Sequence, residues 1–279
     1  MGCSILRKKF NESLFDIYNS EELNIIFYRV MQNLTNKSKL ELMTSNYKLG
    51  NVKEKIFYEY VNRLSNYEPI QYVLGNTIFN NLEFDLDNSV LIPRPETEEL
   101  VDLIIKHECK KEKILDIGSG SGCIAIALAK YILRSNVTAL EICPNAVKII
   151  NKNASKNNVE IDIICEDLFT FQSKSTFDLI VSNPPYIVYS QKYKISKNVL
   201  NFEPHNALFV NDNDPLIFYK TILNFSKNNL NVDGNIFFEI NDIFHHEMIQ
   251  LVSKYRNFSY KLIKDFHGKK RFMILKKNT

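Results

Sequence analysis

The run Ile114-Leu115-Asp116-Ile117 passes directly into Gly118-Ser119-Gly120-Ser121-Gly122 and then into Cys123-Ile124-Ala125-Ile126-Ala127-Leu128-Ala129. A short apolar run bounded by glycines reads as a buried strand, and the alanine-rich segment after it as a buried helix. Glycines at that junction let the backbone turn sharply and let a ligand approach closely. Strand, glycine turn and helix in that order point to α/β architectures built on a parallel sheet.

The chain from about residue 96 agrees. Strands are expected at 113–117, 137–142, 160–165, 177–182, 235–240, 260–264 and 271–275, and helices near 121–133, 144–157, 214–230 and 243–255. No helix separates the last two strands, so they are expected as an antiparallel hairpin at one edge. The expected fold class is α/β, a seven-stranded sheet over residues 96–279 that, with its reversed edge, resembles the Rossmann-like methyltransferase sheet. Upstream, apolar residues such as Leu23, Ile26, Phe27, Val30 and Leu34 recur at helical spacing. They give a small all-helical N-terminal domain over 1–67, suited to partner docking, to a lid or to a folding cap. Alternation around Asn80-Asn81 gives a β-hairpin linker over 68–95, ending in Pro93-Arg94-Pro95-Glu96-Thr97-Glu98.

The glycine spacing narrows the ligand. Gly-x-Gly-x-Gly places Cys123 where the dinucleotide fingerprint needs its last glycine. Asp116 before the loop suits a cationic ligand better than a pyrophosphate, as the amino acid end of S-adenosylmethionine would be. Glu141, about 20 residues on, ends the next strand, where a carboxylate can accept ribose hydroxyls. The turn Glu166-Asp167-Leu168-Phe169 ends the third and can flank an adenine. Singly, these are an ordinary turn, a solvated strand end and a helix cap. Together they converge on the crevice where open α/β sheets bind ligands.

The fourth strand, Phe177–Ser182, stops at Asn183-Pro184-Pro185-Tyr186. Consecutive prolines lack the N–H a ladder needs and fix an extended backbone. A side-chain amide oxygen and a proline-flanked carbonyl can accept both hydrogens of a planar –NH2 group. Alone, Asn-Pro-Pro-Tyr is equally a turn; after the glycine loop it reads as a clamp for a nitrogen. None of the 5 histidines sits at a strand end, so neither a catalytic histidine nor a metal is expected.

These residues resemble the amino-methyltransferases. Within them, Pro93–Glu98, Asn201-Phe202-Glu203-Pro204 and Asp265-Phe266-His267-Gly268-Lys269-Lys270-Arg271 look like the release-factor glutamine methyltransferases (the HemK/PrmC family), from about Glu68 to the C-terminus. The resemblance implies methylation of the side-chain N5 of the glutamine in the Gly-Gly-Gln motif of peptide chain release factors. It implies that Gly118, Ser119, Gly120, Ser121 and Gly122 hold the methionine part of S-adenosylmethionine, Glu141 the ribose, and Asp167 and Leu168 the adenine side. It also implies that Asn183 touches both cofactor and substrate, and that Pro184, Pro185 and Tyr186 line the glutamine pocket. Arg94, between two prolines, faces either the cleft or solvent. Leu168 stands where some members have an aromatic residue, and Asn241 where a glycine is frequent.

Two rivals remain at this stage. A DNA adenine N6-methyltransferase uses a similar clamp on a flipped base, but would bring a target-recognition insertion and a basic face. The net charge here is only +3. A non-catalytic scaffold on the translation machinery has no reason to keep the glycines, Glu141 and Asn183. The 5 cysteines, Cys3, Cys109, Cys123, Cys143 and Cys165, are scattered without a Cys-x-x-Cys pair, as in a reducing compartment. No run approaches the length of a membrane span, and Met1–Leu6 followed by Arg7-Lys8-Lys9 has the wrong order for a signal peptide. A monomeric cytoplasmic protein without membrane or direct nucleic-acid contact is the expectation.

Overall fold

The computed structural model describes residues 2–44, 47–107 and 112–278, so Cys109 lies outside the described residues. The chain forms two compact units, 1–75 with 196–202, and 76–195 with 203–279.

In the first unit, helices α1 (Cys3–Leu14), α2 (Ser20–Thr35), α3 (Lys39–Thr44), α4 (Asn51–Ser65) and α5 (Ile70–Leu74) are joined by the short helix Lys197–Phe202. Phe10, Phe27 and Phe57, one from each of the three longest helices, meet with ring centroids 5.5–6.3 Å apart. Asn19 and Glu22 close a capping box at the start of α2. Arg63 binds both Glu68 oxygens (2.8 and 2.5 Å) and the carbonyls of Tyr72 and Val73, which pins the turn from α4 to α5.

The second unit opens with the hairpin β1 (Asn76–Phe79) and β2 (Leu82–Asp85), turned at Asn80 and Asn81, both with positive φ. After it come α6 (Pro95–His107), β3 (Lys113–Ile117), α7 (Cys123–Tyr131), β4 (Asn136–Glu141), α8 (Pro144–Lys156), β5 (Asp162–Cys165) and β6 (Phe177–Ser182). The chain continues through β7 (Ile187–Val188), α9 (the Lys197–Phe202 helix of the first unit), α10 (His205–Leu208), β8 (Phe209–Val210) and α11 (Ile217–Asn229). It ends with β9 (Leu230–Glu239), α12 (His245–Ser253), β10 (Phe258–Lys264) and β11 (Lys270–Lys277).

The seven-stranded sheet has the order β10-β11-β9-β6-β3-β4-β5. β11 alone runs against its neighbours, so the last two strands do form the reversed edge. Helices cover both faces. Alternation along each strand sends Ile114, Leu179, Val181 and Phe237 to the face carrying α6, α7 and α8, and Leu115, Ile180, Ile236 and Phe238 to the face carrying α11 and α12.

The stretch 68–95 is divided between the units: residues to Gly75 stay with the helices, whereas the hairpin belongs to the sheet. Phe79 and Phe84 of the hairpin enter the sheet's core. The Asn153 amide, fully buried on α8, accepts from Asp85 N (2.7 Å) and donates to Asp85 O (3.1 Å), and Asn157 donates to Glu83 O (2.8 Å). Among the described residues no helix is long and apolar enough to cross a membrane.

Candidate active site

Strand register builds the site. Ile117 lies beside Leu140 on one side and Ser182 on the other, Glu141 beside Cys165, and Ser182 beside Phe238. The residues following these positions therefore emerge at one edge: the glycine loop, Glu141, Glu166–Phe169, Asn183 and Glu239. A cleft of about 250 Å³ opens there. It is lined by Gly118, Gly120, Glu141, Asp167, Leu168, Asn183, Pro184 and Pro185, with Ser89–Leu91, Ser182, Asn206, Ala207, Phe169 and Phe218 completing the wall.

Gly118 and Gly120 have φ of +73° and +56°, and a Cβ built on either would meet nothing within 4 Å. The loop thus presents bare backbone to open space, as close ligand approach requires. Glu141 is held by two backbone donors, Gly120 N and Cys143 N, both at 2.8 Å. Asp167 accepts from Phe169 N at 2.9 Å, a tight turn that fixes Leu168 and Phe169 on the wall. The Phe169 and Phe218 rings stand 5.3 Å apart.

Several expected contacts lie elsewhere. Asp116 shares strand parity with Ile114, so its side chain points toward α7 and not into the cleft. It is fully buried; one oxygen accepts from Ala125 N at 3.2 Å, and the other has no partner among the described residues. Burial pushes its carboxyl up to about 7. Ser119 turns inward to the Asp116 carbonyl, and Ser121 is buried beneath the loop. Gly122 starts α7 with φ +79°, and its Cβ position lies 3.1 Å from Ile126 and Ile150, so this glycine serves helix packing.

Arg94 is paired with buried Glu203 at 2.6 Å, and Glu203 also accepts from Ile92 N. That pair joins two of the sequence motifs and is not part of the cleft wall. Nor is Tyr186, whose hydroxyl donates to Glu239 at 3.1 Å. The third motif closes around Arg271, which binds Asp265 and the Ile240 carbonyl behind Glu239.

Asn183 shares the parity of Val181, and Glu239 that of Phe237, so both face α6. There Asn183 Nδ2 donates to Thr97 Oγ1 (3.1 Å), and Thr97 Oγ1 donates to Glu239 Oε2 (2.7 Å). With its nitrogen engaged, the Asn183 amide oxygen has no hydrogen-bond partner among the described residues. Sequence reasoning assigns no site role to Thr97 or Glu239. A signal for one of them is present: Glu239 ends the strand neighbouring the one that carries Asn183.

Comparison with known proteins agrees with this geometry. Residues 78–208 match the methyltransferase small domain. The release factor glutamine methyltransferase of Flavobacterium psychrophilum is 40% identical, covering 96% of each chain. That of Bacteroides thetaiotaomicron is 37% identical over 94% of this chain and 95% of its own. The chain belongs to the release factor glutamine methyltransferase family. A solved methyltransferase from Pyrococcus furiosus has the same fold, with a TM-score of 0.53 at 19% identity, covering 83% of this chain and 100% of that one. Membership makes the chain a methyltransferase.

Proposed function

We propose that the chain transfers a methyl group from S-adenosylmethionine to the side-chain N5 of the glutamine in the Gly-Gly-Gln motif of peptide chain release factors. The observation that carries this reading is the Asn183 amide on the cleft wall, tied through its nitrogen to Thr97 and with its oxygen unpartnered among the described residues. An acceptor pair suits a substrate –NH2 and does not suit a hydroxyl or a carboxylate.

Bound S-adenosylmethionine supplies an electrophilic sulfonium methyl. Gly118 and Gly120 would pass their backbone along its methionine part, Glu141 would accept from the ribose, and Asp167, Leu168 and Phe169 would border the adenine. A glutamine nitrogen is a poor nucleophile because its lone pair is delocalised into the carbonyl. Asn183 Oδ1 and Pro184 O would accept its two N–H groups, orient the remaining lobe and stabilise positive charge growing on nitrogen. Pro185 would border the glutamine side chain, and Tyr186 would support the clamp from behind. Arg94, paired with Glu203, would shape the rim.

The helical unit would dock the protein substrate; exposed Leu40 and Met43 on α3 and Val52 on α4 support that role. A cytoplasmic monomer acting without direct nucleic-acid contact completes the reading. The test is mass spectrometry of an unmethylated release factor after incubation with this protein and S-adenosylmethionine, with duplex DNA in parallel. One added methyl on the Gly-Gly-Gln glutamine is expected. Methylated adenine instead would overturn the substrate assignment.

A further inference from the structure

The Asn183 amide can sit in its pocket in two orientations that differ only by exchange of nitrogen and oxygen. Only one presents an acceptor to the cleft. What selects it lies beneath the clamp, in a buried chain of polar groups: Asn183 Nδ2 to Thr97 Oγ1, Thr97 Oγ1 to Glu239 Oε2, and Tyr186 OH to Glu239 Oε1. Thr97 is 3% exposed and Glu239 1%, so water does not supply alternative partners.

We propose that Thr97 and Glu239 are positioning residues that set the polarity of Asn183, and that Glu239 fixes the clamp from both ends by also holding Tyr186. This inference rests on the acceptor role proposed above for Asn183.

The argument is one of hydrogen-bond counting. An ionised carboxylate only accepts, so Thr97 must spend its single proton on Glu239. The Thr97 oxygen is then left with lone pairs alone and takes a donor from its other neighbour. Asn183 must therefore turn its NH2 toward Thr97 and its oxygen toward the cleft. The flipped amide would set two acceptors against the one hydroxyl proton of buried Thr97, a costly arrangement. Burial raises the Glu239 carboxyl above its ordinary value, while the hydrogen bond from Thr97, the charge of Arg271 and the hydrogen bond from Tyr186 pull the other way; the relay holds where Glu239 is ionised and accepts on both oxygens. Parity explains why these residues meet. Asn183 and Glu239 end neighbouring strands with side chains on the α6 face, and Thr97 lies in the first turn of α6.

Four variants and one spectrum test the relay. Thr97→Ser keeps the hydroxyl, and Thr97→Val replaces it with a methyl of the same shape. Glu239→Gln can donate to Thr97, which frees the threonine proton for Asn183 and permits the flip. Asn183→Ala tests the underlying reading separately. Single-turnover methylation of unmethylated release factor, S-adenosylmethionine affinity by calorimetry and melting temperature are measured for each.

Thr97→Val and Glu239→Gln are expected to lose about 10–100-fold in rate with cofactor affinity within about 3-fold, and Thr97→Ser to keep near wild-type rate. Wild-type rate in Thr97→Val alongside an inactive Asn183→Ala would overturn the relay and leave the clamp standing. An active Asn183→Ala would instead sink the clamp itself. The spectrum needs no variant. In ¹⁵N-labelled wild-type protein, one side-chain N–H of Asn183 should exchange slowly and show a contact to Thr97, and fast exchange of both protons would refute the proposal even if a variant failed to fold.

Discussion

Gly120 donates its backbone N–H to Glu141 at 2.8 Å, so the glycine loop and the end of the neighbouring strand are locked to each other. The same carboxylate accepts from Cys143 N. Glu141 therefore shapes the cleft. Glu141→Ala is expected to weaken S-adenosylmethionine binding by about 10–100-fold, the effect of losing hydrogen bonds to a charged acceptor at about 1.5–3 kcal/mol. Titration calorimetry checks it, and unchanged affinity would remove Glu141 from the cofactor site.

The loop glycines should separate into two classes. At Gly122 an added methyl meets both a positive φ and the side chains of Ile126 and Ile150 at 3.1 Å. Gly122→Ala should therefore destabilise the fold by about 1–3 kcal/mol. At Gly118 the methyl enters open space in the cleft. Gly118→Ala incurs only the conformational cost, about 1 kcal/mol, but should lose cofactor affinity more steeply than stability. Melting curves and calorimetry on both proteins distinguish the classes. Equal losses of affinity would contradict the assignment.

Asp116 predicts a pH dependence. Burial pushes its carboxyl up to about 7 in the folded protein, against about 3.9 in the unfolded chain. Between those values the folded state keeps a proton that the unfolded chain has released, so stability falls as pH rises through the window and levels off above it. Asp116→Asn removes this titration and still offers an oxygen to Ala125 N. Relative to wild type, the variant should gain stability as pH is raised from about 5 to about 8, by about 1.4 kcal/mol for each pH step of one within the window. Denaturant melts of the cofactor-free protein at the two ends of that range measure the gain. A difference that does not change with pH would mean that Asp116 ionises normally when folded.

Asp116 also marks the limit of what was legible in the sequence. Strand–helix alternation and the glycine loop are enough to place every strand of the sheet, with β9 alone starting five residues ahead of its expected 235–240, and to locate the cleft edge, because those features are local. Side-chain direction was local too, since alternation from Ile114 already turns Asp116 toward α7. The charge of Asp116 suggests a ligand, whereas its strand parity and its bond from Ala125 N tie it to the sheet's core. Thr97 and Glu239 needed more. Their meeting depends on the pairing of β6 with β9 and on α6 packing over both, contacts about 140 residues apart in sequence. Arg94 and Glu203 are likewise distant, and each looked free until the other was placed beside it.

Phe218 supplies the last prediction. It lies on α11, outside every motif, yet its ring stands 5.3 Å from Phe169 on the cleft wall. Leu168 occupies the position where some family members have an aromatic residue, and the pair Phe169 and Phe218 would supply that aromatic surface from the next residue and a neighbouring helix. Removing one ring from a stacking site costs about 1–3 kcal/mol for a bound base. Phe169→Ala and Phe218→Ala are each expected to weaken S-adenosylmethionine binding by about 5–100-fold, while binding of methionine alone stays unchanged. Phe169 is 46% exposed, so its truncation should hardly alter the melting temperature of the cofactor-free protein. Calorimetry with the intact cofactor, adenosine and methionine decides the matter. If adenosine binds Phe169→Ala as well as wild type, the aromatic wall faces something other than the adenine.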